Sequence, residues 1–332
     1  MDLQMVEHIV LAGDIGGTKT NLGIFRVAQQ QLVCLHECRY HSADYASLED
    51  ILKQFLALAD EAYLIEYACF GVAGPIHDNT CQITNLPWFI AADTIGQQFQ
   101  WPYVSLLNDL EANAWGLDAL SEDDFTTLNT GQKLAGNAAI IAAGTGLGEA
   151  GLFWDGGQHI PFASEGGHTE FSPNSEQDFL LQQFLSKKYQ GHVSWERLVS
   201  GMGLVNIYDF LCSQSTVPTG IFNDEQYDKA EVISKAALSG QDPLCQQALD
   251  WFVCLYGAEA GNQALKLLAK GGVYLGGGIA PKIITKLRSG AFMQAFCDKG
   301  RMRPLLEAMP VKVIMNDKAA LYGPAIYAAK QL

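Results

Sequence analysis

Basic residues are scarce in this chain. Lys and Arg number 21 against 36 Asp and Glu, a formal charge of −15. That balance argues against a nucleic-acid backbone or an anionic membrane surface as the main partner. Apolar runs are short, and none approaches the about 20 residues needed to cross a bilayer. Met1 to His8 carries Asp2 and Glu7 and no Lys or Arg, so no secretory leader is expected. Cysteine is modest, 8 in 332 residues, and no Cys-x-x-Cys pair occurs. The closest spacing, Cys34 and Cys38, is neither a zinc nor a redox signature by itself. Reduced, mostly buried thiols in a cytoplasmic protein are the expectation. A disulfide scaffold, a membrane protein and a disordered tail are excluded. With 48% apolar residues the chain can bury a sizeable core, and its length suggests two domains at about 150 residues each.

The common nucleotide and metal signatures are missing too. A Walker A loop needs Gly followed by Lys, and no Gly-Lys pair exists; Gly16-Gly17-Thr18-Lys19-Thr20 only mimics its tail. Gly13 to Gly17 does not supply the G-x-G-x-x-G that a dinucleotide site needs after the first strand, and no H-E-x-x-H helix is present.

Glycine is what the chain has in excess: 33 residues, about 10% against an average near 7%. They gather at 13–17, 144–151, 156–157, 166–167, 201–203 and 271–278. Most clusters follow a short apolar run, where phosphate-binding turns sit in α/β proteins. His8–Asp14 and Asn21–Val27 read as a hairpin around the first cluster, with Leu32–Cys38 as a third strand. Ser47–Asp60 reads as an amphipathic helix that starts in a capping box of Ser47 and Asp50. Tyr67–Ala73 and Tyr103–Leu107 are strand candidates, and Leu110–Leu117 is a helix. A second set opens with Ala138–Ala143 and adds a helix over Gln177–Tyr189, headed by Ser175 and Asp178. Gly272–Leu275 and Val311–Met315 read as strands and Lys318–Lys330 as a helix. Two α/β halves that each open with an apolar strand and a glycine turn hint at an ancient duplication.

Three turns carry chemistry. In Asp14-Ile15-Gly16-Gly17-Thr18-Lys19-Thr20, backbone N–H groups, the Thr18 hydroxyl and the Lys19 charge could seat a phosphate, with Asp14 holding a Mg²⁺-bound water. Gly144-Thr145-Gly146-Leu147-Gly148 repeats strand, glycines and hydroxyl. Gly276-Gly277-Gly278-Ile279-Ala280-Pro281 could press backbone against a flat adenine or ribose.

In that order the three turns resemble the phosphate-1, phosphate-2 and adenosine motifs of the actin-like ATPase superfamily of sugar kinases. More closely the chain resembles the bacterial glucokinases of the hexokinase type, from about residue 8 to its C-terminus. The specific segments are Leu107–Leu110, Ser164–Ser175 with its Glu165-Gly166-Gly167-His168, and Gly191–Gly201 with Ser194-Trp195-Glu196-Arg197-Leu198-Val199-Ser200-Gly201. The resemblance implies an α/β fold of the two-domain actin-like ATPase (ribonuclease H-like) kind. A small domain, 1–118 plus 316–332, and a large one, 119–315, would flank an interdomain cleft. It implies phosphorylation of D-glucose by ATP with Mg²⁺, the entry step of glycolysis. Asp109 would be the general base, and Asn108, Asp109, Glu165, His168 and Glu196 would bind the sugar. Asp14, Gly16, Gly17, Thr18, Lys19, Gly144, Thr145, Gly146, Gly276, Gly277 and Gly278 would serve the nucleotide. Arg197 reads as structural. A homodimer follows by family analogy.

Three departures stand out. Lys19 replaces the Asn common in the hexokinase type and resembles the repressor/open-reading-frame/kinase (ROK) group. That group carries a cysteine-rich zinc motif after its Glu-x-Gly-His element, whereas Phe171–Lys188 holds no cysteine, so no structural zinc is expected. Ala163-Ser164 stands in place of Pro-Gly before Glu165, which touches loop shape. Gly71–Ile76 and Thr84–Trp88 resemble the strand and loop beside the sugar, with Asn85 orienting that loop. The alternatives are a kinase for another hexose (fructose, mannose or an N-acetylated amino sugar) and a non-catalytic sugar sensor. A sensor would lose the base or the turns and add a DNA-binding segment, and neither is expected from this sequence.

Overall fold

The computed structural model describes residues 7–28, 31–59, 63–83, 86–215 and 228–332; Asn85 lies outside them. The chain divides into two compact units, Met1–Asp123 with Asn316–Leu332, and Asp124–Met315.

The first unit opens with β1 (His8–Ile15), β2 (Lys19–Ala28) and β3 (Gln31–His41), then α1 (Leu48–Leu58) and β4 (Tyr67–Val72). Three short strands follow, β5 (Ile76–His77), β6 (Thr80–Gln82) and β7 (Phe89–Ala91), then α2 (Ala92–Phe99), β8 (Tyr103–Asn108) and α3 (Asp109–Gly116). The main sheet runs β3-β2-β1-β4-β8. The expected hairpin is β1–β2, antiparallel from His8 opposite Val27 to Ile15 opposite Thr20. β4 lies parallel to β1 and β8 parallel to β4, so Asp14 faces Gly71 and Val72 faces Asn108. Three carboxyl ends thus stop at one edge. α1 forms as its pattern requires: Ser47 Oγ accepts from Asp50 N at 3.3 Å, and Leu48, Ile51, Leu52 and Phe55 are buried.

α3 packs on the C-terminal helix Ala319–Gln331 almost backbone to backbone. A methyl on Gly323 would run into the Ala112 carbonyl, and one on Gly116 into that of Ala319. Glycine at both places fixes how closely α3, with Asp109 at its head, lies against its neighbour.

The second unit contains β9 (Phe125–Asn129), β10 (Ala138–Ala143), β11 (Leu147–Trp154), β12 (His159–Ser164), α4 (Glu176–Tyr189), α5 (Gly201–Gln214), α6 (Lys229–Ser239) and α7 (Pro243–Leu267). It closes with β13 (Gly272–Gly276), α8 (Ile279–Lys282), α9 (Ile284–Leu287), α10 (Ala291–Cys297), α11 (Arg303–Glu307) and β14 (Val311–Ile314). The sheet runs β12-β11-β10-β13-β14-β9, with β10, β13 and β14 parallel. Every residue of β10 (AAIIAA) is buried, as expected of a strand covered on both faces. α7 lies on this sheet: Tyr256 Oη donates to the Ile141 carbonyl at 3.1 Å and Gln263 Nε2 to that of Ile140 at 3.0 Å. Among the described residues no helix is long and apolar enough to cross a membrane.

The α3 contact predicts that Gly323→Ala costs about 1–3 kcal/mol, because the obstructing atom is backbone and cannot rotate away. Urea denaturation reads it; an unchanged midpoint would mean that the helices do not approach this closely.

Candidate active site

The first glycine turn is tied down from outside itself. Gly16 N donates to Lys19 O at 2.9 Å, and Ser42 N to Thr18 O at 3.1 Å. Ser42 Oγ donates to Gly16 O at 2.8 Å and lies 3.0 Å from Thr20 Oγ1. Thr20 and Ser42 are fully buried, while Thr18 and Lys19 face solvent. Below the turn, Asp14 Oδ2 accepts from Asn21 Nδ2 at 2.9 Å. Asn21 Oδ1 accepts from Arg39 Nε at 2.7 Å, and Arg39 Nη2 reaches Asp317 Oδ2 at 3.3 Å. Burial holds the Asp14 carboxyl above the usual range; the Asn21 bond lowers it, Asp317 raises it and Arg39 lowers it.

Asn108, not Asp109, caps α3: Asn108 Oδ1 accepts from Leu110 N at 2.9 Å. Asp109 is the first helical residue, and its Oδ1 also accepts from Leu110 N, at 2.9 Å. A carboxylate at a helix N-terminus is favoured in its ionised form. Cys81 is close by: burial first and the Asp109 charge second push its thiol up. Asn79, at φ 57° in the β5–β6 turn, accepts from Leu106 N at 2.8 Å and donates to Val104 O at 3.0 Å. It fastens this hairpin to the strand that delivers Asn108.

The second unit gathers three sequence-distant segments around Leu147. Gly144 N donates to Gly146 O at 2.9 Å, closing the second turn, and Gly201 N donates to Gly144 O at 2.8 Å. Leu147 N donates to Glu196 Oε2 at 3.1 Å. The Leu147 carbonyl meets Gly167, where a side chain would not fit. The Glu165–His168 loop is one 3₁₀ turn: His168 N donates to Glu165 O, and the side chains stand 3.8 Å apart, Nε2 to Oε2. Both are exposed. Ser164, the residue that departs from the family pattern, accepts from Gly166 N through its Oγ at 3.0 Å. The loop is joined to the Glu196 element through Trp195 N on Thr169 O at 3.1 Å, and His192 Nε2 lies 3.0 Å from His168 O. Ser200 fixes Glu196 further by donating to its carbonyl at 2.7 Å while capping α5. Arg197 stacks over the Tyr189 ring, 4.1 Å from its centroid.

The third turn ends β13 beside the second: Gly276 faces Ala142 across parallel strands. Gly277, at φ 78°, lies where a side chain would collide with the Ala143 backbone, so packing demands it as much as any ligand. Gly144 and Gly278 face open space. Gly146-Leu147-Gly148-Glu149-Ala150-Gly151 also matches the G-x-G-x-x-G spacing, but it runs into antiparallel β11 rather than a helix, which is not the dinucleotide context. Among the described residues no group of three or more His, Cys, Asp or Glu is assembled to hold a metal. Ser42, Asn21, Arg39 and Asn79 escape sequence reasoning, since each acts across a distance that no local motif marks.

Two sheets with glycine turns at the ends of their parallel strands make this the actin-like ATPase fold of the sugar kinases. A structure of a glucokinase from an Antarctic psychrotroph superposes with TM-score 0.86 at 28% identity, over 98% of this chain and 100% of that one. The fold is shared with a ROK family glucokinase from Streptomyces griseus, solved in complex with glucose and AMPPNP (TM-score 0.66, 22% identity, 97% and 99% covered). A family model described as glucokinase matches residues 11–331. The glucokinase of Trichormus variabilis is 42% identical over 339 residues, 97% of this chain and 99% of the relative. The chain belongs to the glucokinase family.

Ser42→Ala leaves the buried Thr20 hydroxyl and the Gly16 carbonyl each short of a partner, so it is expected to cost about 1–3 kcal/mol. Hydrogen exchange at Gly16 and Ser42, whose N–H groups close the turn, should quicken. Exchange and denaturation midpoint both as in the wild type would show that Ser42 does not hold the turn.

Proposed function

We infer that this chain is an ATP:D-glucose 6-phosphotransferase. The glucokinase relatives and the neighbour solved with glucose and AMPPNP support the substrate pair. The observation that carries the reading is the Glu196 carboxylate on Leu147 N, 3.1 Å long, which joins the proposed sugar ligands to the proposed phosphate turn.

In this reading Asn108, Asp109, Glu165, His168 and Glu196 bind the sugar, carboxylates and imidazole meeting adjacent hydroxyls. The backbone N–H groups of Gly17, Thr18 and Lys19, the Thr18 hydroxyl and the Lys19 ammonium meet phosphates, with Gly16 closing that turn through its own N–H; Thr145 and Gly146 do the same in the turn that Gly144 closes, and Gly276, Gly277 and Gly278 meet the adenosine. The 6-hydroxyl oxygen attacks the γ-phosphorus, the bond to the β–γ bridging oxygen breaks, ADP leaves, and Asp109 takes the hydroxyl proton. Asn108 keeps the helix head in place under that base. Mg²⁺ would neutralise charge on the phosphates when bound. Asp14 fits a role beside it: burial raises its carboxyl against the pull of Asn21 and Arg39, a nearby cation would favour the carboxylate, and Mg²⁺ with nucleotide needs only one or two protein carboxylates and keeps waters. No zinc enters this chemistry. We propose a cytoplasmic setting, supported by eight free cysteines, and a homodimer by family analogy.

Asp109→Asn keeps shape but cannot accept the proton, so glucose phosphorylation should fall by roughly 10²–10⁴ with ATP affinity little changed. A coupled assay over a panel of hexoses reads this; activity within about tenfold of the wild type would remove Asp109 from the role.

Glu165→Gln, His168→Ala and Glu196→Gln should each weaken glucose binding by about 1–3 kcal/mol in calorimetry. If all three bound glucose as the wild type does, the sugar site would lie elsewhere.

A further inference from the structure

Behind the Glu165–His168 loop lie two carboxyl groups that phosphoryl transfer does not use. Glu149 on β11 is 3% exposed and Glu259 on α7 is 0% exposed, and the two lie close enough to shift each other's titration. Glu259 Oε2 accepts from Asn262 Nδ2 at 2.8 Å, and Asn262 Oδ1 from Lys299 Nζ at 2.7 Å. Lys266 Nζ stands 3.6 Å from Glu259 Oε1. Drawn as two carboxylates, the pair leaves Glu149 Oε1 and Glu259 Oε1 buried without hydrogen-bond partners and sets like charges together out of water. One shared proton removes both defects.

Glu149 is also what the loop rests on. A side chain at Gly166 would run into the Glu149 carboxyl; even its Cδ lies only 2.8 Å from where the new β-carbon would stand. Glu149 faces Ser164 across β11 and β12, and Ser164 Oγ holds Gly166 N. Any displacement of the Glu149 carboxyl therefore reaches Gly166 directly, and Glu165 and His168 with it.

We propose that Glu149 is a positioning residue for the sugar loop: while it shares a proton with Glu259 it seats Gly166, and loss of that proton forces the carboxylates apart and displaces the loop. The proposal rests on reading Glu165–His168 as sugar ligands. Burial first, then the Glu259 charge, push Glu149 up to about 8, against the pull of Lys266. Burial also raises Glu259, while Asn262, Lys266, Lys299 and the contact with Glu149 lower it. Burial thus raises both carboxyls, and one proton is held between them. The other groups facing the pair are Tyr256, whose phenol is raised by burial and by Glu149, and Asp298, which acts on Lys299. An acid whose folded value exceeds its unfolded one binds more protons when folded, so its contribution to stability falls as pH rises between the two, here from 4.5 to about 8.

Glucose and ATP KM at pH 7 and pH 9 test this in the wild type, Glu149→Gln and Glu259→Gln. One unit above the midpoint about one pair in ten keeps its proton, so the wild-type glucose KM should rise by up to about tenfold. The ATP KM should stay within about twofold, since the loop serves the sugar. In both variants an amide N–H replaces the shared proton at every pH, and the rise should vanish. Melting temperature from pH 5 to 9 should likewise fall more steeply in the wild type than in either variant. A flat wild-type glucose KM, or a rise equal in all three proteins, overturns the proposal. No glucose turnover at any pH would overturn the proposed activity instead, and the melting comparison would still decide whether the pair shares a proton.

Discussion

In the unit Asp124–Met315, residues 166 and 167 have no side chains, and on that the arrangement of Glu165, His168 and Glu196 depends. A β-carbon at 167 would strike the Leu147 carbonyl and one at 166 the Glu149 carboxyl. Packing at such distances leaves no slack to absorb a methyl group. Leu147 also donates its N–H to Glu196 and follows the second glycine turn in the chain. One backbone residue thus fixes three segments at once. The cap at Ser200, the Thr169–Trp195 bond and the His192 contact each keep Glu196 and the loop from moving independently. Side chains held in this way are ordered before anything binds them, and that lowers the cost of binding.

Parallel strands explain why each unit offers its candidate groups along one edge. Strands related by crossovers end at the same level, and the loops that leave those ends are free to carry chemistry. In the first unit the ends are Asp14–Ile15, Val72 and Asn108; in the second they are Ala143 and Gly276. The cost is a row of backbone groups that the sheets no longer satisfy. Side chains meet it: Ser42 for the first turn and Asn79 for the β8 edge from a distance, and the flanking Ser164 and Thr169 for the Glu165–His168 loop. These short polar residues shape the turns as much as the glycines do.

That division also marks what the sequence makes legible. The hairpin at 8–27, the helix starts at Ser47 and Ser175 and the three glycine turns are local, and local chemistry leaves a local signal. Family membership was readable because Glu165-Gly166-Gly167-His168 and Ser194–Gly201 are specific strings, each compact in sequence. α7 was not legible: with Phe252, Val253, Leu255, Tyr256 and Gly257 all buried, it has no polar stripe for a period of 3.6 to stand against. Ser42, Asn21 and Arg39 were not legible either, since a serine 26 residues from the glycine it holds looks like any other serine. The helix expected from Leu110 begins one residue earlier, and that Asn108 caps it and leaves Asp109 in the first turn depends on backbone angles no motif encodes.

A protein of net charge −15 that takes a polyanionic nucleotide must attract it locally. Screening permits this: beyond about 8 Å the many surface carboxylates are largely hidden by physiological salt, whereas backbone N–H groups act within hydrogen-bond reach. In the proposed reading the first two turns supply such donors, and Lys19 alone among their side chains is basic. Backbone donors do not titrate and cannot be exchanged by substitution, so their strength is set by geometry alone. Geometry here means glycine on the inside of each turn and a distant hydroxyl or amide behind it. A turn built this way is hard to tell from an ordinary hairpin in sequence for the same reason that its backbone donors persist at every pH: they belong to the main chain and not to titrating side chains.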